Sequence, residues 1–221
     1  MSSHHEAVVI EPPEAIRACV LWLHGLGADG HDFEPIVPEL GPASRGVRFV
    51  FPHAPQRPVT INGGYVMRAW YDVLDMDLTL RPDETGIRAS EAILRDHVAA
   101  QVADGVAPER VVLAGFSQGG AIALHTGLRY EQRLAGILAL STYLPLQATV
   151  GTEASAANTH TSIFMAHGIA DPVIGIAHAE RSRDFLRARG YSVEWHSYPM
   201  MHAVCAEEIH AIGRWLAGVL G

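Results

Sequence analysis

Short apolar runs alternate along this chain with longer stretches of helical spacing. Two runs, at 7–10 and 17–23, read as strands on either side of Glu11-Pro12-Pro13-Glu14, a turn by composition. A short helix over 32–40 leads to a third apolar strand at 47–51. The stretch 52–64 is rich in proline and glycine and reads as irregular, and 67–73 returns to an aromatic, strand-like composition. From 83 to 104, Ile87, Leu94, Val98 and Val102 recur at helical spacing, with Asp83 or Thr85 as cap and Gly105 and Pro108 as stop. A central strand over 110–116 then runs into a helix over 118–130. A strand over 134–141, a loop-like stretch over 142–161 and a strand over 162–167 follow. Gly190 closes a helix over 177–189, and 191–196 alternates as an outer strand. The last helix, over 203–220, carries Ile209, Ile212, Leu216 and Val219 on one stripe.

This alternation of strand and helix predicts an α/β fold, a mostly parallel sheet with helices on both faces. With 221 residues, one domain over 1–221 is the natural reading. No linker, internal repeat or insertion long enough for a separate lid domain interrupts it. In such sheets ligands bind beyond the carboxyl ends of the strands. Three segments reach that edge: the loop His24-Gly25-Leu26-Gly27-Ala28-Asp29-Gly30, the turn at Ser117, and the loop that holds Asp171.

Charge narrows the partners. The chain has 24 acidic and 16 basic residues, a net charge of −8, and no basic block, which argues against nucleic acid. No apolar run is long enough for a membrane span, so no stable membrane insertion is expected. Residues 1–13 lack the basic and apolar regions of a secretory signal. Cys19 and Cys205 stand far apart without metal or redox spacing, which reads as two reduced thiols in a cytoplasmic protein. The 13 histidines include no H-E-x-x-H and no paired Cys/His spacing, so no metal is expected.

Candidate chemistry centres on Gly115-Phe116-Ser117-Gln118-Gly119, a G-x-S-x-G between an apolar strand and a helix of small residues. A turn this sharp needs glycine on both sides and leaves the serine hydroxyl exposed above the sheet. A serine becomes a nucleophile only when a base takes its proton, and a carboxylate should hold that base in the right tautomer. The chain order for such an elbow is serine, acid, histidine. Of the histidines downstream, His125 and His210 fall within helices and His196 within a strand. His202 lies in the loop between the last strand and the last helix and is the favoured base; His160 precedes the acidic candidate in chain order. Asp171, in a tight turn with Pro172 after the 162–167 strand, is the acid, although turns of this composition also use aspartate structurally. The backbone N–H groups of Gln118 and Leu26 are the oxyanion donors.

His24-Gly25-Leu26-Gly27, Phe51-Pro52-His53-Ala54-Pro55, Trp70-Tyr71-Asp72, the Ser117 segment, His167-Gly168-Ile169-Ala170-Asp171 and the His202 segment carry a wider likeness. Together they resemble the acyl-protein thioesterase/carboxylesterase family of α/β-hydrolases, from about residue 20 to 220. Ser141-Thr142-Tyr143-Leu144-Pro145 is similar to its bacterial carboxylesterase branch. The resemblance implies a triad of Ser117, Asp171 and His202, oxyanion donors Leu26 and Gln118, and hydrolysis of small-molecule esters or thioesters without cofactor. It also implies a homodimer in some relatives, with no interface legible here. One departure stands out: glycine is expected where Met201 precedes the histidine. A left-handed backbone there would cost methionine on the order of 1 kcal/mol or more.

For the substrate, an open cleft walled by Met67, Trp70, Tyr143, Leu144 and Val173 is expected. An acyl group lying against Tyr143 and Leu144 favours short to medium chains. The alternatives are a long-chain acyl-protein thioesterase or lysophospholipase, and a binding protein that keeps the fold without catalysis.

Overall fold

The computed structural model describes residues 6–75 and 81–221. Its strands are β1 (Ala7–Ile10), β2 (Ala18–Leu23), β3 (Val47–Pro52), β4 (Gln56–Val59), β5 (Tyr65–Arg68), β6 (Val111–Phe116), β7 (Gly136–Leu140), β8 (Ser162–Gly168) and β9 (Val193–Tyr198). Its α-helices are α1 (Glu84–Ala103), α2 (Gln118–Arg129), α3 (Val150–Glu153), α4 (Ile176–Ala188) and α5 (Ala206–Leu220). Seven strands form one sheet in the order β1-β3-β2-β6-β7-β8-β9, and β4 and β5 form a separate hairpin. Every neighbouring pair in the large sheet is parallel except β1–β3.

Strand pleating divides the core. Ala18, Val20 and Trp22 of β2 face one side, with α5 and a 3-10 helix (Glu34–Ser44) packed over them. Cys19, Leu21 and Leu23 face the other, where α1 and α2 cover the sheet. Leu186 of α4 continues that second layer over β7, β8 and β9. Both faces are therefore buried, which is why these strands are apolar throughout rather than alternating. Full burial of a side chain such as Leu21 or Phe49 stabilises the fold by about 1.5–3 kcal/mol.

Several local outcomes differ from the pattern's expectation. The helix expected over 32–40 is a 3-10 helix that extends to Ser44, since Pro38 and Pro42 lack the N–H an α-helix needs there. The stretch 52–64 contains β4, and β5 stops at Arg68 rather than running to 73. The loop-like region 142–161 includes α3. At the start of α1 the cap is Asp83, whose carboxylate accepts the Gly86 N–H.

Candidate active site

Ser117 joins β6 to α2 with φ 54° and ψ −121°, a conformation that L-residues seldom adopt. Its surroundings over-determine it. The Ser117 N–H donates to the Leu140 carbonyl at 2.9 Å, and the Thr142 hydroxyl donates to the Ser117 carbonyl at 2.7 Å. A Cβ on Gly119 would stand 2.3 Å from the Leu23 carbonyl oxygen, and one on Gly115 equally close to the Gly119 backbone. Only glycine at these two positions lets α2 begin so near β2 and β6.

Beyond the ends of β8 and β9, two loops meet this serine. His202 Nε2 lies 3.0 Å from Ser117 Oγ, and His202 Nδ1 lies 2.7 Å from Asp171 Oδ2. The Asp171 side chain is fully buried and that of His202 is 17% exposed. Asp171 Oδ1 accepts the N–H groups of Val173 at 2.8 Å and Ile174 at 2.9 Å. One carboxylate thus serves the turn with one oxygen and the imidazole with the other. His167 Nε2 donates to the Ile174 carbonyl at 2.7 Å and stands 3.3 Å from Asp171 Oδ2. Burial holds the His167 imidazole below its ordinary pKa. The Phe116 ring packs 4.7 Å from the His202 ring. With an anionic acceptor at Nδ1, His202 presents the Nε2 lone pair to the serine hydroxyl, an arrangement able to take its proton.

Ser117 and His202 open onto a cleft of about 580 Å³ that Leu26 and Gln118 also line, with Asp171 buried behind the imidazole. Neither Leu26 nor Gln118 spends its backbone N–H on a backbone acceptor among the described residues. The Gln118 side chain instead ties two segments together. Its Oε1 accepts the Trp70 N–H at 3.0 Å and its Nε2–H donates to the Tyr71 carbonyl at 2.9 Å.

The expected wall is partly corrected. Tyr143 and Val173 line the cleft, whereas Met67, Trp70 and Leu144 do not. Trp70 is fully buried, its Nε1–H donating to the His24 carbonyl at 2.9 Å. Leu144 turns into the core beside Leu124 and Val150, and Met67, like Leu26, packs against Val59 and Ala69. Ile61, Tyr71, Val73 and Ile174 take the places on the wall instead. Met201 is not strained, because its backbone is outside the left-handed region and its side chain is 65% exposed. The glycine this corner needs is Gly168, where a Cβ would come within 2.2 Å of the Met201 carbonyl oxygen. His160, the other histidine considered, is exposed before β8, at the opposite edge from the serine. Among the described residues no group of three or more His, Cys, Asp or Glu stands close enough to hold a metal ion. Within the same limits, no helix is long and apolar enough to cross a membrane.

A family model described as Phospholipase/Carboxylesterase matches residues 4–220. The chain belongs to the phospholipase/carboxylesterase family. It is 40% identical over 209 residues to an acyl-protein thioesterase 1 of Neurospora crassa, covering 90% of this chain and 85% of that one. It is 38% identical over 234 residues to an acyl-protein thioesterase 1 of Mycosarcoma maydis, covering 97% of each. A probable carboxylesterase of Oryza sativa subsp. japonica is 36% identical over 204 residues, covering 90% of this chain and 77% of that one. Among solved structures, acyl-protein thioesterase 2 of Zea mays superposes with a TM-score of 0.84 at 31% identity, over 99% of this chain and 100% of that one. The fold of this phospholipase/carboxylesterase family chain is thus that of the α/β-hydrolases, and its relatives are ester and thioester hydrolases by name.

Proposed function

We propose that the chain hydrolyses carboxylic esters and thioesters through an acyl-enzyme on Ser117. The observation that carries this reading is the hydrogen-bonded line from Asp171 through His202 to Ser117, at the mouth of an apolar cleft. His202 takes the Ser117 proton as Oγ attacks the acyl carbon, and then gives it to the departing alcohol or thiol. A water molecule, deprotonated by the same imidazole, releases the acid in the second half. Asp171 holds the ring in the required tautomer and stabilises its cation. The N–H groups of Leu26 and Gln118 receive the oxyanion, each contributing about 2.7–4 kcal/mol to the barrier lowering.

A preference for short to medium acyl chains draws support from Tyr71 and Tyr143, buried side chains on the cleft wall whose hydroxyls stand 3.2 Å apart. A second reading, an acyl-protein thioesterase for long chains, draws support from the names of the 40% and 38% identical relatives. Matched oxygen-ester and thioester series from butyryl to palmitoyl, run on the wild type and S117A, separate the two. The proposal expects turnover of both linkages, an optimum at short to medium length, and a loss of about 10⁶ in kcat in S117A. A palmitoyl thioester optimum moves the assignment to the second reading. S117A retaining a tenth of the activity removes both.

A further inference from the structure

His24 follows directly on β2 and is 2% exposed, yet it touches none of the three groups in the proposed relay. Its Nε2 accepts the Ala54 N–H at 3.0 Å. A backbone N–H can only donate, so Nε2 carries no proton and the proton of the neutral ring sits on Nδ1. Nδ1–H points at the Gly25 carbonyl, 2.7 Å away. That carbonyl belongs to the same peptide unit as the Leu26 N–H. No peptide bond among the described residues is cis, and in a trans peptide the C=O and N–H point in opposite directions. Anchoring the Gly25 oxygen therefore aims the Leu26 N–H the other way, and Leu26 lines the cleft.

We infer that His24 is a positioning residue that locks the Gly25–Leu26 peptide in the orientation in which the Leu26 N–H serves as oxyanion donor. The inference rests on the proposed acyl-enzyme reading. Without the clamp this peptide can rotate, since the loop is rich in glycine and among the described residues the Gly25 oxygen keeps only the longer contact from Ala28 N–H at 3.3 Å. Trp70 holds His24 twice: its indole N–H bonds the His24 backbone carbonyl, and its ring packs 5.3 Å from the imidazole. The charged or titratable groups around it are Asp29, His53 and Arg68, and burial holds its pKa at about 4. The ring is therefore neutral near neutral pH, and the clamp does not switch off there. A hydrogen bond to the carbonyl also polarises the amide and strengthens its N–H as a donor.

Two substitutions divide the contacts of His24. Asparagine can place an amide N–H where Nδ1 stands and keeps the clamp, but loses the tie to Ala54. Glutamine can place a carbonyl where Nε2 stands and keeps the tie, but loses the clamp. The clamp predicts that H24N keeps kcat on a butyrate ester within about fivefold of wild type. It predicts a fall of about 100-fold for H24Q with KM within about threefold, the signature of an interaction made only in the transition state. A purely structural role predicts the reverse order. H24Q equal to or better than H24N, or a loss that appears in KM alone, overturns the inference. Wild-type protein supplies a test that needs no variant: ¹⁵N NMR of the imidazole should show the neutral Nδ1–H tautomer with a scalar coupling to the Gly25 carbonyl carbon. An Nε2–H tautomer overturns the inference. S117A, assayed alongside, keeps the failures apart. Activity in S117A removes the acyl-enzyme reading, whereas a silent S117A with H24Q matching H24N removes only the role of His24.

Discussion

Replacing Asp171 by asparagine changes one atom, and the surrounding backbone decides which way that atom faces. Oδ1 accepts two N–H groups, from Val173 and Ile174, so an NH₂ group cannot occupy that side without setting donor against donor. The amide oxygen must stay there, and the NH₂ must stand where Oδ2 now lies, 2.7 Å from His202 Nδ1. It then donates to Nδ1 and drives the imidazole proton onto Nε2, which faces Ser117 Oγ at 3.0 Å. In that tautomer the ring cannot accept the serine proton. The geometry survives but the base is lost, which in triads of this kind lowers kcat about 10⁴-fold, or roughly 5.5 kcal/mol of barrier. The assay is kcat for an activated butyrate ester near neutral pH, with thermal unfolding measured in parallel to show that D171N is folded. Alanine is a poorer test, since it also orphans the Val173 and Ile174 N–H groups at about 1–3 kcal/mol each. D171N that folds normally and keeps more than a tenth of wild-type kcat refutes the role given to Asp171.

Three other outcomes follow from the same structure. Burial pushes the Glu208 carboxyl up to about 8, against about 4.3 in an unfolded chain. Between those values the folded chain holds a proton the unfolded chain has released, so stability falls as pH rises across the window and levels off above it. E208Q should accordingly raise Tm over wild type by more at pH 8 than at pH 5, and an equal or opposite gain contradicts this. Met201→Gly should leave kcat within about twofold and cost stability about 0.4–1 kcal/mol through the freer unfolded chain, as read from urea denaturation. Tyr143→Ala should move the preferred acyl length upward by enlarging the cleft at this wall, and an unchanged chain-length profile counts against that role.

Much of this arrangement was legible in the chain because each part has a local cause. The elbow at Ser117 needs glycines at fixed offsets, and those glycines stand in the sequence. The loops that carry Leu26 and Asp171 each follow an apolar run and the loop that carries His202 follows an alternating one, all three legible as strands, so a parallel sheet brings them to one edge without any knowledge of strand order. What was not legible depends on contacts between distant segments. The pairing of β1 with β3 is set at the sheet edge, and nothing in the residues 7–10 specifies it. Trp70 and Leu144 look like wall residues by type and position, but an apolar side chain beside a site satisfies the core equally well, and these two turn inward. His24 was hidden for a related reason. It opens the Gly-rich loop and read as part of a pattern, while its task is visible only once Ala54, some 30 positions away, is seen donating to it.

The proposed attack by Ser117 is tested most directly by trapping the covalent intermediate. Rapid acid quenching of the wild type during turnover of a slowly deacylating ester, followed by mass spectrometry of the peptide that contains Ser117, should show one acyl group on that serine. The adduct should form and decay at rates consistent with turnover. Steady turnover with the acyl group on another residue, or with no acyl-protein at any time, would contradict the account.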